Sequence, residues 1–150
     1  MAEFRVIPLA AAPLGSVTAL LEKQLLEHGV NRSPNELVGL LQLLLAQPSV
    51  GFVLVAVADT NPIGFAYGAA VLSLEHGGRS GWLEELYVLP EWRGCGAGSA
   101  LLNAVVARAQ ERGWAALDLE VDGNHARALP LYARNRFTPV HRTRFVRRLR

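Results

Sequence analysis

The sequence contains one cysteine, Cys95, so no disulfide can form within the chain. That usage fits a reducing compartment, and a cytoplasmic location is expected. Runs of membrane-spanning length are missing too; the longest apolar stretches, such as residues 50–58, are near strand length. The N-terminal Met1-Ala-Glu-Phe-Arg5 leads into uncharged residues broken by Pro8 and Pro13, unlike the basic start and unbroken apolar core of a signal peptide, so none is expected. Repeats, low-complexity tracts and long linkers are absent, so a single domain over residues 1–150 is expected. A chain of this length can bury roughly two thirds of its unfolded surface. His28, His76, His125 and His141 show no paired ligand spacing, and no metal site is expected.

Lysine is nearly missing: Lys23 is the only one, and all other basic residues are arginines. The net charge of +2 conceals an asymmetry, because residues 127–150 carry eight arginines and no acid. The rest of the chain is net acidic. A basic segment can contact an anionic cofactor, nucleic acid or a membrane. The plainer reading is an edge strand flanked by arginines, where charge discourages unwanted pairing. That reading is preferred, and neither nucleic acid nor a membrane is an expected partner.

What is present is a packed-domain composition, with 51% hydrophobic and 19% charged residues. Residues 4–7 read as a short strand ending at Pro8. Residues 13–28 follow as a helix, with Leu14, Val17, Leu20, Leu21, Gln24 and Leu25 at helical spacing and Gly29 as its stop. Ser33-Pro34 opens a second helix, with serine as N-cap and Leu37, Leu40, Leu41 and Leu44 on one face. Residues 50–58 and 63–74 flank a turn-rich insert and read as a hairpin. Residues 82–89 form a third strand, apolar on both faces as a central strand should be. A helix with Leu101, Leu102, Val105, Val106 and Ala109 follows and ends at Gly113. Leu117, Leu119 and Val121 alternate with Asp118 and Glu120 as a half-buried strand. A helix over residues 127–135 and an extended segment over 138–149 complete the chain. The fold class expected is α/β, or mixed α+β: a central mixed sheet in the order β-αα-βββ-α-β-α-β, with helices on both faces.

Gly94, Gly96 and Gly98 stand between a central strand and a helix. Backbone can approach a ligand closely there, and the free N–H groups of a helix start favour phosphate. A P-loop is excluded because the loop has no lysine. A dinucleotide fingerprint is excluded by spacing and by the hairpin that precedes the loop.

Val88-x-Pro90-x-x-Arg93-Gly94-x-Gly96-x-Gly98 resembles the pyrophosphate-binding signature of the GNAT superfamily of acetyl-CoA-dependent N-acetyltransferases, Arg/Gln-x-x-Gly-x-Gly/Ala after a hydrophobic strand. The resemblance covers nearly the whole chain. It extends to His125-Ala-Arg-Ala-Leu-Pro-Leu131-Tyr132 and Arg136-Phe137, similar to the family's Asn-x-x-Ala-x-x-Leu-Tyr-x-x-x-Gly-Phe. Two departures stand out: His125 replaces the usual Asn, although Asn124 adjoins it, and Arg136 replaces the usual Gly.

The resemblance implies acetyl transfer from acetyl-CoA to a primary amine in a ternary complex. It implies that coenzyme A is held by Gly94, Cys95, Gly96, Ala97, Gly98 and Ser99, with Arg93 either at its phosphates or bracing the loop. The strand backbone at Leu86, Tyr87 and Val88 would pair with the pantetheine arm, and Asn124, His125 and Tyr132 would complete the site. Transfer to an amine needs a base, because a lysine-like amine is neutral in only about one molecule per few thousand at pH 7. It also needs an acid for the departing thiolate. Tyr132 matches the family's acid. Glu84 and Glu85 interrupt an apolar strand and by alternation point to opposite faces. Glu84 occupies the base position of the polyamine acetyltransferase branch and is preferred; Glu85 is the alternative. The acceptor expected is a small cationic amine. A protein- or RNA-associated acetyltransferase and a non-catalytic acyl-CoA-binding module remain as alternatives. Dimers are common in the family, and the arginine-rich end is a candidate interface.

Overall fold

The computed structural model describes residues 3–150. The chain divides into two compact units, one through Glu120 and one from Val121 to Arg150. In the first unit, β1 (Arg5–Pro8) is followed by α1 (Leu14–Glu27), α2 (Pro34–Ala46), β2 (Gly51–Ala58), β3 (Asn61–Ser73), β4 (Gly78–Val88), α3 (Ala97–Glu111) and β5 (Leu117–Leu119). The five strands form one sheet in sequence order. The pairs β1–β2, β2–β3 and β3–β4 are antiparallel, and β4–β5 is parallel. This is the expected mixed sheet.

The helix ends follow from local chemistry. Ser33 caps α2 by accepting the Glu36 N–H at 3.2 Å, with Pro34 in the first turn. At the end of α1, Gly29 takes a φ of 73°. Its N–H donates to Leu26 O and the Val30 N–H to Leu25 O, which satisfies two terminal carbonyls. Gly113 closes α3 in the same way, its N–H on Gln110 O and that of Trp114 on Ala109 O.

Helices cover both faces of the sheet. Val53, Val55, Val57, Phe65 and Tyr87 meet Val17 and Leu20 of α1 and Leu41 of α2 in one core cluster. On the opposite face, Phe52 lies beneath the guanidinium groups of Arg108 and Arg112, 5.9 and 4.9 Å from its ring centroid. Leu101, Leu102 and Val105 of α3 are fully buried. A side chain at Gly68 would strike the Phe52 ring and one at Gly81 the Trp114 ring, so both glycines lie on this α3 face.

The alternation of β4 is broken. Tyr67 pairs with Glu85 but Gly68 pairs with Leu83, leaving Glu84 as an extra residue. A bulge of this kind reverses which residues face which layer. Leu83 therefore shares the α3 face with Gly68, while Glu85 shares the α1/α2 face with Tyr67 and Tyr87. The expectation that the two glutamates point to opposite faces fails for this reason: both line the same cleft beside α1 and α2.

The second unit differs from expectation. A 3-10 turn, Gly123–Ala128, precedes a short α4, Leu129–Arg134, in place of one helix over residues 127–135. Pro130 sits in the first turn of α4, where its missing N–H costs nothing. The expected strand over residues 138–149 does not form, and the order ends at α4. Arginines occupy both alternating sets of positions there, so neither face of a strand would be apolar. Phe145, Val146 and Leu149 are exposed. Hence the edge-strand reading of the arginine-rich segment is corrected as well.

Candidate active site

Strand β4 pairs with β3 along its length, as far as Gly64 opposite Val88. With β5 it pairs only at Gly81, Trp82 and Leu83. Beyond that point, the β5 side of β4 has no strand partner among the described residues. The Leu89 N–H donates to Ile63 O at 2.8 Å, so alternation turns the backbone groups of Leu86 and Val88 away from β3. The carbonyl of Val88 accepts from Arg93 Nε at 2.9 Å, consistent with its standing outside the ladder. An open backbone edge at Leu86 and Val88 is the result, next to the glycine loop.

In that loop, a 3-10 turn at Pro90–Trp92 leads to Arg93, and Gly94 and Gly96 adopt φ values of 79° and 94°. These left-handed angles strain any residue with a Cβ. Gly96 is also the N-cap of α3, and no side chain caps that end. The first-turn N–H groups of a helix have no intrahelical acceptor. Ala97 is buried, whereas beyond the adjoining residues nothing lies within 4 Å of a Cβ built at Gly94 or Gly96. Cys95 Sγ donates to Trp92 O at 2.7 Å and so helps to tie the loop. Arg93 is turned inward: besides Val88 O, it reaches Glu27 at 3.6 Å and lies 5.6 Å from the Tyr87 ring centroid. Tyr87 in turn donates to Glu27 Oε1 at 3.1 Å. Arg93 thus braces the loop against β4 and α1.

The two glutamates line a cleft of about 230 Å³ between α1, α2 and the sheet. Glu84 is exposed on the bulge, and Glu85 is half-buried. Burial pushes the Glu85 carboxyl up from its ordinary 4.5 to about 7. A hydrogen bond from Gln24 opposes that rise, and the nearby charge of Glu84 adds to it. Gln24 is buried, donates through Nε2 to Glu85 Oε2, and has no partner for its own Oε1. Tyr67, opposite Glu85, has its hydroxyl pKa raised by burial and by the charge of Glu84. A second, larger depression of about 540 Å³ beside Asp59, Pro62 and Trp92 contains neither Glu84 nor Glu85.

Asn124, His125 and Tyr132 belong to the second unit. Asp122 caps the 3-10 turn by accepting the Asn124 N–H, and the His125 N–H donates to Asp122 O. Tyr132 meets Phe137 edge-on at 5.9 Å, and burial raises its hydroxyl pKa. The Arg136 N–H donates to Ala133 O and the Phe137 N–H to Tyr132 O, the same closure as after α1 and α3. Arg136 stands where glycine stands in those two cases, with a φ of 68°.

In the sequence, Gln24 reads only as part of a helix stripe. Its signal is that it is the one polar residue among Leu14, Val17, Leu20, Leu21 and Leu25. The Glu27–Tyr87–Arg93 link has no signal in the sequence.

The sequence model of the acetyltransferase (GNAT) family matches residues 17–137. The chain belongs to that family. It is an acetyltransferase whose donor is acetyl-CoA. Solved structures share the fold at low identity. An integron cassette protein from the Cole Harbour salt-marsh metagenome is 23% identical with a TM-score of 0.82, over 98% of this chain and 90% of that one. A predicted acetyltransferase from Clostridium acetobutylicum, solved with acetyl-CoA, is 19% identical with a TM-score of 0.76, over 98% and 96%. An aminoglycoside N-acetyltransferase in complex with CoA is 19% identical with a TM-score of 0.80, over 99% and 95%. No curated protein matches the chain. Among the described residues, no helix is long and apolar enough to cross a membrane. The residues present fit the coenzyme: an uncapped helix start, a loop open at Gly94 and Gly96, and a strand edge without a strand partner at Leu86 and at the Val88 N–H.

Proposed function

We propose that this acetyltransferase acts on a primary amine, with Glu85 as the general base. The observation that carries the reading is the cleft-lining carboxyl of Glu85, with a pKa of about 7, held by Gln24. A base poised near the working pH is both ionised and able to accept a proton. Glu84, the position preferred from the polyamine branch, sits exposed on the bulge. Its role is then to attract a cationic acceptor and to raise the pKa of its neighbour.

The amides of Gly94, Cys95, Gly96, Ala97, Gly98 and Ser99 would hold the pyrophosphate, and the open edge at Leu86 and the Val88 N–H would pair with the pantetheine amides. Bound acetyl-CoA supplies an acetyl thioester, whose C–S bond breaks as the C–N bond to the acceptor forms, giving an amide and the free thiol. Glu85 takes the first proton that the acceptor ammonium must lose. The second, shed by nitrogen as the C–N bond forms, passes to solvent, from which the proton donor to sulfur is restored. The Tyr132 hydroxyl is assigned as proton donor to the leaving sulfur. Its match to the family's Leu-Tyr pair supports that role, and a tyrosine hydroxyl carries its proton at neutral pH. Arg93 orients the loop rather than the substrate.

The test is thiol release from acetyl-CoA with a panel of primary amines. Release that depends on amine is expected, with an acid limb near pH 7 in kcat/KM. Coenzyme binding without turnover of any amine would leave a binding module instead.

A further inference from the structure

The cleft that holds Glu84 and Glu85 also constrains the body of the acceptor. Both carboxylates belong to β4, so they stand at the sheet side of the cleft. The remaining walls are almost entirely apolar: Leu21 and Leu25 of α1, Leu37, Leu40 and Leu44 of α2, and Phe65 of β3. The one cation in the lining is Arg32, which pairs with Glu36 at 3.9 Å. The volume of about 230 Å³ is below the roughly 300–1,000 Å³ that holds drug-sized ligands.

From this juxtaposition we propose that the acceptor is a primary monoamine on a compact apolar body, a single ring or a short branched chain, with its ammonium at Glu84 and Glu85. The proposal rests on the amine-acceptor reading above and narrows its substrate class. A polyamine would bring a second ammonium against leucine walls or toward Arg32, and an unpaired charge in apolar surroundings is strongly disfavoured. An aminoglycoside would bring many hydroxyls to walls whose only polar side chains, beyond the two carboxylates, are Tyr67 and Arg32. An apolar body gains about fourfold in affinity for each methylene it buries.

The experiment uses the full chain with acetyl-CoA and four acceptors: phenethylamine, isopentylamine, spermidine and an aminoglycoside. The expected result is a kcat/KM for the first two at least tenfold above that for the last two. Leu40 is 55% exposed although it lines the cleft, so Leu40→Glu can be made without disturbing the core. That variant should narrow the ratio by tenfold or more, since it places a carboxylate where a second ammonium would lie. Preference for spermidine or the aminoglycoside, or a ratio unchanged in Leu40→Glu, overturns the proposal. Calorimetric binding of phenethylamine separates the two readings. Binding that weakens in Leu40→Glu without any turnover sinks the transfer reading and keeps the cleft assignment. Absence of binding to any apolar amine removes the cleft assignment.

Discussion

The donor side and the acceptor side of this protein are built from different materials. The glycine loop and the open edge of β4 are backbone surfaces: free N–H groups, positive φ angles and an interrupted ladder. The cleft beside α1 and α2 is a side-chain surface, assembled from two helices, their connection and three strands. A backbone site suits a cofactor shared across a family, because its hydrogen-bonding groups survive most substitutions. A side-chain site can be re-cut one residue at a time, and acceptor choice resides there. The difference predicts that damage on one side should spare binding on the other.

The largest expected effect is on the acceptor side. Replacing Glu85 by Gln should lower kcat/KM by about 10²–10⁴-fold, the usual range for loss of a general base. Acetyl-CoA affinity, measured by calorimetry, should stay within about twofold. A loss of coenzyme binding of similar size would break the separation of the two sides. The same variant has a signature in stability. The folded carboxyl, with a pKa of about 7, still holds its proton where the unfolded one, near 4.5, has released it. Stability therefore falls as pH rises across that window. In Glu85→Gln the decline should flatten, making the variant relatively more stable above pH 7, by on the order of 1–2 kcal/mol. Thermal melts at pH 5 and pH 8 would measure it.

A smaller, mirror-image effect is expected on the donor side. Gly96 holds a φ of 94°, a conformation that costs a residue with a Cβ roughly 1–2 kcal/mol. If that strain opposes the loop geometry that binds the coenzyme, Gly96→Ala should weaken acetyl-CoA about tenfold. The pH limb set by Glu85 should stay in place. Unchanged coenzyme affinity would show that the loop amides do not carry the pyrophosphate.

The same contrast explains what could be read from sequence. Gly94, Gly96, Gly29 and Gly113 all take positive φ, and a glycine before or after a helix announces such an angle. The element order was legible through β5 because apolar periodicity was strong there. The cleft was not, for two physical reasons. The bulge at Glu84 is fixed by pairing with Tyr67 and Gly68, a fact of register that no local pattern encodes. Gln24 and Glu85 are 61 positions apart, and only packing of α1 on the sheet joins them. In the second unit, Arg136 takes the left-handed angle that glycine takes after α1 and α3, a geometry that only its place in the family motif, and not its residue type, signalled. The final segment failed for a simpler reason: extended-looking composition without an apolar face does not make a strand.

The smallest effect separates the base from the residue that holds it. Gln24 donates to Glu85, and that hydrogen bond keeps the carboxyl lower than burial alone would. Gln24→Met retains the length of the side chain and removes the donor. The pKa of Glu85 should then rise further, moving the acid limb of kcat/KM upward by about half a unit to one unit. At pH 7 the rate should drop a few-fold, and at pH 9 it should return to that of the unaltered enzyme, since Glu85 is ionised in both. A purely structural role would lower the melting temperature without moving the limb. An unshifted limb with reduced rate at every pH would instead mean that Gln24 contacts the acceptor, which would add a third polar group to the carboxylate end of the cleft.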